Sequence, residues 1–225
     1  MRVRNPLLEL LFVRARVHDV AASGRFRRIV LRAEPLRTAG WQPGQQVRVD
    51  VGPVGALTPL LRTYSVWDRH DDAIELQGLL HGDGPGSRWL AAAAPGVEVL
   101  LSRPKGDFVL RPAPWHLFAG EETASVAFGA MLRSLPPGST TRTVVECAED
   151  ADRLPLPGAV DWAPRGGLLA AVEALTLPDG PGVAYAAGEA RDVQAVRRHL
   201  VRDRGWPRRS VLTKPFWTPG KKGLE

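Results

Sequence analysis

The chain has 225 residues, 44% of them hydrophobic and 24% charged, with 23 glycines and 20 prolines. That length suits one large or two small domains, and the composition is that of a globular protein rich in turns. No apolar run of roughly 18 residues occurs, which excludes a membrane-spanning helix. The single cysteine, Cys147, excludes an internal disulfide, a cysteine zinc cage and an iron–sulfur cluster. The net charge is +6, and the stretch from Arg191 onward, with 10 basic and 3 acidic residues, accounts for the whole excess.

In chain order, residues 1–6 lead into an apolar run broken by Arg14 and Arg16, with no small-residue cleavage site after it. This gives no signal peptide, and the expected location is cytoplasmic. Residues 13–20 alternate apolar and polar, and residues 26–31 follow after Ala22-Ser23-Gly24, which predicts a hairpin. Pro43-Gly44 marks a turn before Val47, Val49 and Val51, and residues 53–59 form a Gly/Pro-containing loop. Residues 61–66 and 74–80 predict further strands, and residues 97–101 another after Pro95-Gly96. Short strands with regular turn signals make a small antiparallel barrel. Arg111-Pro112-Ala113-Pro114 is a stiff connector, giving expected domains of 1–111 and 115–225.

The pattern then changes. Residues 115–119 are apolar and end at Gly120, residues 122–133 suit a helix, and residues 142–147, which include Cys147, suit a buried strand. A weaker strand is expected at 160–162, a helix at 167–174 and a strand at 183–187. The longest helix is expected over 189–204, with Val193, Val196, Leu200 and Val201 on one stripe, and a last strand over 209–212. Strands alternating with helices give a mostly parallel sheet, whose ligands bind beyond the carboxyl ends of the strands. Gly120-Glu121-Glu122-Thr123 and Gly188-Glu189 both fall at such strand-to-helix turns. Each glycine is equally readable as a plain turn residue. The chain lacks Gly-x-Gly-x-x-Gly, so a pyrophosphate is not held in the Rossmann fingerprint manner.

Two segments suggest chemistry. Along residues 61–66, alternation points Arg62 and Tyr64 to one face and Thr63 and Ser65 to the other. A tyrosine can stack on a flat heterocycle, an arginine can grip a phosphate, and a serine can bond a ring nitrogen. A plain amphipathic strand reads the same way. His81 is followed by Gly82-Asp83-Gly84-Pro85-Gly86, which interrupts regular structure, and Ser87 is the expected N-cap of a helix running into four alanines. Glycines before a helix N-terminus expose N–H groups to an anion. A simple loop is the plainer alternative.

Together with Trp41-Gln42-Pro43-Gly44-Gln45, Leu117-Phe118-Ala119-Gly120-Glu121-Glu122-Thr123-Ala124, Ala187-Gly188-Glu189-Ala190, Arg197-Arg198-His199-Leu200 and Phe216-Trp217, these segments stand in an order that resembles the siderophore-interacting proteins. That family is a branch of the ferredoxin-NADP reductase superfamily. The resemblance implies a six-stranded antiparallel flavin-binding β-barrel followed by a parallel α/β domain for NADH or NADPH. It implies FAD in preference to FMN, and a cofactor site drawn from Arg62, Thr63, Tyr64, Ser65, His81, Gly82, Gly84, Pro85, Gly86 and Ser87. The second domain would contribute Gly120, Glu121, Glu122, Thr123, Gly188, Glu189 and Trp217. Tyr64 and Ser65 would tune the flavin, and no side chain is expected to act as catalytic acid or base.

The implied function is electron transfer from NAD(P)H through FAD to ferric iron in a siderophore, releasing ferrous iron. Lys214, Lys221 and Lys222 are candidates for an anionic chelate. No metal site, nucleic-acid partner or membrane partner is expected, and monomer and dimer remain equally open. Two residues depart from the family pattern: Glu121 replaces the usual aspartate, and Trp67 stands where a basic residue is common, with Arg69 or Arg88 as substitutes. Alternative functions are a flavin reductase serving an oxygenase, or a flavin-binding scaffold without nicotinamide turnover.

Overall fold

Alternation of small apolar and polar residues builds the first strand: in β1 (Phe12–Ser23), Val13, Ala15 and Val17 point inward and their neighbours outward. Gly24, at φ +54°, turns the chain back into β2 (Phe26–Arg32), with Ser23 opposite Phe26. β3 (Gln46–Asp50), β4 (Leu61–His70), β5 (Ala73–Leu79) and β6 (Glu98–Ser102) complete a closed antiparallel barrel in the order β1-β2-β5-β4-β3-β6. In this computed structural model, residues 12–53 and 58–220 are described. Ile29, Leu31, Val47, Val66, Ile74 and Leu101 fill the barrel. Helix α1 (Pro85–Ala92) lies on it through Leu90, and Gly78 makes the room, because a Cβ there would stand 2.5 Å from both Leu90 methyls.

The chain divides into two units, Met1–Asp107 and Phe108–Glu225. The division precedes the proline connector because Phe108 is buried in the second unit's core, edge-on to Tyr185. The Arg111 N–H donates to the Tyr185 hydroxyl at 2.6 Å, which ties the connector to that unit too.

The second unit is a parallel five-stranded sheet. Its strands are β7 (Trp115–Glu121), β8 (Thr140–Glu146), β9 (Asp161–Ala163), β10 (Val183–Glu189) and β11 (Val211–Trp217), in the order β11-β10-β7-β8-β9. All seven residues of β7 are buried, as a central parallel strand requires. Helix α2 (Ser125–Ser134) packs Phe128 and Met131 against one face. Helices α3 (Leu168–Ala174) and α4 (Ala190–Arg198) pack Val172, Val193 and Val196 against the other. From β7 the chain builds outward to β8 and β9, then crosses to β10 and β11, so the topological switch lies between β7 and β10.

Three expectations are corrected here. The helix expected over 189–204 ends at Arg198 and passes into a π-helical turn, His199–Asp203. Arg204 then turns inward and donates to the carbonyls of Val172, Glu173 and Leu175, capping α3. The last strand starts later and runs longer than 209–212, because Pro207 initiates a 3-10 turn over Arg208–Ser210 and Pro215 is tolerated in an edge strand. Ser87 is not an N-cap: Pro85 takes the first helical position and Gly84 the cap. Among the described residues, no helix is long and apolar enough to cross a membrane.

Candidate functional site: an open helix start and a carboxylate-lined sheet edge

In the barrel unit, β4 presents Arg62 and Tyr64 half-buried, Thr63 exposed and Ser65 buried. The Tyr64 hydroxyl donates to the Gly86 carbonyl at 3.3 Å, and its ring sits 5.4 Å from that of Trp89 at a tilt of 43°. Burial raises the Tyr64 phenol well above its ordinary value, so it stays protonated and a donor. Ser65 Oγ accepts from Gln46 Nε2 at 3.4 Å. The strand and the glycine loop are therefore one structure, joined by Tyr64.

The loop is pinned by its own side chains. Ser87 Oγ donates to the His81 carbonyl at 2.7 Å and accepts the His81 N–H at 3.2 Å. Arg88 folds back onto the Asp83 carbonyl. With Ser87 turned away, no side chain caps α1, and the first-turn N–H groups have no helical partner. A Cβ at Gly82 or Gly84 would meet nothing within 4 Å, so the loop faces open space. An uncapped helix start behind an open glycine loop fits a phosphate. The loop and helix start therefore fit the phosphates of a flavin dinucleotide.

Trp67 is buried because the β4–β5 register shifts between Val66 and Asp68, which turns a residue out of the alternation. Arg69 does not replace a basic residue at 67: its Nη2 donates to the carbonyls of Leu36 and Arg37 at 2.8 and 2.7 Å.

The second unit shows the opposite arrangement. β7, β8 and β10 each end in a glutamate, and each of these carboxylates accepts an N–H at the start of a helix. Glu121 takes the Thr123 N–H at 3.1 Å, Glu146 takes that of Leu168 at 3.0 Å, and Glu189 takes that of Arg191 at 3.1 Å. The chain's own carboxylates thus occupy the places a Rossmann pyrophosphate would use. Arg165 bridges Glu122 and Glu146, whose side chains are 0% and 2% exposed. Burial pushes Asp192 up, helped by the charges of Glu146 and Glu189.

Gly120 and Gly188 serve this packing directly. A Cβ at Gly120 would stand 2.3 Å from the Ala187 carbonyl oxygen. Gly188 has φ +119°, and a Cβ there would stand 2.7 Å from the Glu121 carboxylate. Glu121 also accepts from Thr123 Oγ1, and from Trp217 Nε1 at 3.1 Å. Lys214 is half-buried on β11, opposite Ala187, while Lys221 and Lys222 lie outside the described residues. Glu146 and Arg165 were not singled out from the sequence, where the expected strands end at 119, 147 and 187 and none closes on a glutamate.

Burial pushes the Glu121 carboxyl up to about 7 from 4.5, with the Glu122 charge adding to the effect. A carboxyl raised on folding stabilises the protein below its unfolded value, and that contribution is lost as pH rises through 7. Glu121→Gln, which does not titrate, is expected to gain about 2–3 kcal/mol relative to the parent between pH 4.5 and 8. Urea melts of both proteins across that range check this; parallel pH curves would contradict it.

Family models divide the chain at nearly the same place as its two units. The siderophore-interacting FAD-binding domain matches residues 50–108, and the siderophore-interacting protein model matches residues 113–220. The chain belongs to the siderophore-interacting protein family. Ferric vibriobactin reductase of Vibrio cholerae is 28% identical over 179 residues, 72% of this chain and 66% of the relative. An uncharacterized protein of Mycobacterium tuberculosis is 39% identical over 122 residues, 50% of this chain and 42% of that protein. The chain thus aligns with less than two thirds of these relatives' lengths. A siderophore utilization protein from T. fusca superposes with a TM-score of 0.81 at 23% identity, covering 95% of each chain. In this family the barrel followed by a parallel sheet is the ferredoxin-NADP reductase-like fold.

Proposed function

We propose that this chain is a flavin-dependent oxidoreductase that passes electrons from NADH or NADPH through FAD to ferric iron held in a siderophore. The observation that carries the reading is the uncapped start of α1 behind Gly82 and Gly84, within the part matched by the FAD-binding model. Arg62 and the first-turn N–H groups of α1 would hold the phosphates, with His81, Pro85 and Ser87 fixing the loop. Thr63, Tyr64 and Ser65 would bound the ring system. FAD, when bound, supplies a hydride acceptor that can release electrons singly. The protein contributes binding, orientation and exclusion of water, and no side-chain acid or base is needed.

The nicotinamide nucleotide is a substrate of the second unit, at the switch between β7 and β10, near Gly120, Glu121, Glu122, Thr123, Gly188, Glu189 and Trp217. Since carboxylates hold the helix starts there, its pyrophosphate would lie off them. Lys214, with Lys221 and Lys222, supplies positive charge for an anionic chelate. Ferrous iron binds hard oxygen donors less tightly than ferric iron, so reduction releases it.

The test is an anaerobic assay of the FAD-loaded protein with NADH or NADPH, a ferric siderophore and a ferrous-specific chromogenic chelator. Colour forming at a rate proportional to protein supports the reading. Flavin reduced by nucleotide with no ferrous iron from any ferric chelate would overturn the acceptor. Tyr64→Ala, which loses the stacking surface and the tether to Gly86, is expected to weaken FAD binding by about 1–3 kcal/mol, roughly 5- to 150-fold in Kd. Tyr64→Phe keeps the ring and is expected to cost about 1 kcal/mol. Flavin fluorescence titration measures both, and equal affinities in all three proteins would contradict the role given to Tyr64.

A further inference from the structure

β7 and β11 are not neighbours in the sheet; β10 lies between them. Yet the last residues of both are joined by a hydrogen bond, from Trp217 Nε1 to Glu121 Oε1 at 3.1 Å. The glutamate side chain reaches across β10 where Gly188 leaves it room, since a Cβ at Gly188 would stand 2.7 Å from both Glu121 Cγ and Oε1. The other oxygen, Oε2, accepts the Thr123 N–H at 3.1 Å, while the Thr123 hydroxyl donates to the same Oε1 that takes the indole. Glu121 is 1% exposed and Trp217 is half-buried.

The geometry points to Glu121 as a positioning residue that holds the Trp217 indole at the carboxyl end of the sheet, by a carboxylate carried over Gly188. This rests on the reading of that end as the nucleotide side. Two features make the hold specific. An aspartate is one methylene shorter and keeps the contact with Thr123 without reaching Trp217. A valine or alanine at 188 would block the path. The surroundings also make the hold pH-sensitive. Glu122 follows on the same turn, Glu146 lies opposite on β8 with Arg165, Glu189 follows Gly188, and Asp192 stands in the first turn of α4. Burial, with the charge of Glu122 adding to it, pushes the Glu121 carboxyl up to about 7, and protonation replaces a charge-assisted bond to the indole with a weaker neutral one.

The test is 1H–15N NMR of the indole groups in the full FAD-loaded chain, with Trp217 assigned by its absence in Trp217→Phe. In the parent, the Trp217 indole signal is expected to move through a single step near pH 7. In Glu121→Gln it is expected to be flat with pH and protected from exchange. In Glu121→Asp it is expected near a solvated position, with hydrogen exchange at least 10-fold faster. In steady-state kinetics, Glu121→Asp is expected to raise the nucleotide KM several-fold more than Glu121→Gln does. A Trp217 signal that is flat from pH 5 to 9 in the parent would overturn the inference, and needs no variant of Glu121 to fold. So would an unchanged Trp217 signal in Glu121→Asp. Failure of every nucleotide to reduce the flavin would remove the proposed function, while the NMR result stands on its own.

Discussion

Arg165→Ala is expected to destabilise the second unit by about 2–4 kcal/mol at neutral pH. The arginine is the cation shared by Glu122 and Glu146, and both carboxylates are essentially inaccessible to water. Removing it leaves two buried negative charges facing each other. Its own side chain is 46% exposed, which places the cost toward the lower part of what a lost buried partner carries. Arg165→Lys, which keeps a charge but loses the fork that spans two carboxylates, should fall between the parent and Arg165→Ala. Chemical denaturation at neutral pH checks the order, and an Arg165→Ala protein as stable as the parent would refute it.

A larger effect is expected at Gly120. Valine there brings a Cβ to 2.3 Å from the Ala187 carbonyl oxygen, 2.6 Å from Ala124 Cβ and 3.1 Å from the Phe128 ring. The nearest obstacle is backbone of a paired strand, which cannot rotate away. Overpacking of a core costs about 1–3 kcal/mol and occasionally more, and a backbone clash belongs at or beyond the upper end, at about 3 kcal/mol or above. Gly84→Ala is the control. No atom lies within 4 Å of its Cβ, so it is expected to cost under about 1 kcal/mol, as a helix-cap substitution. Thermal melts separate the two. This contrast also changes what substitutions at Gly120 and Gly188 can report: loss of activity there would reflect packing between β7, β10 and Glu121 before any contact with nucleotide.

The barrel was legible because its strands alternate and its turns carry glycine and proline, as in the run from Val13 to Val17. β4 was legible as far as Ser65. Beyond it, a register shift against β5 buried Trp67, and a bulge depends on the partner strand, which alternation within one segment does not encode. The glycine loop announced a helix start, but with serine, proline and glycine all present, composition pointed to Ser87 as the cap. The fixed φ of Pro85 suits the first helical position and moves the start upstream, freeing Ser87 to bind His81. Least legible were the contacts at the sheet edge. Trp217 and Glu121 are far apart in sequence, and so are Arg165 and Glu122. Such bonds follow from strand order and not from any local pattern. The common place of Glu121, Glu146 and Glu189 at strand ends, and their role in capping helices, emerged only once the strands were paired.

A nicotinamide nucleotide received by the second unit is expected to reduce a flavin held by the first. This is tested most directly by the visible spectrum of the FAD-reconstituted protein before and after anaerobic addition of NADH or NADPH. One bound flavin per chain, retained through gel filtration, is expected, with its visible absorbance bleached by at least one of the two nucleotides. Flavin that binds but is bleached by neither would contradict the role given to the second unit. Absence of flavin after reconstitution with FAD would contradict the assignment of Arg62, Tyr64 and the open loop before α1.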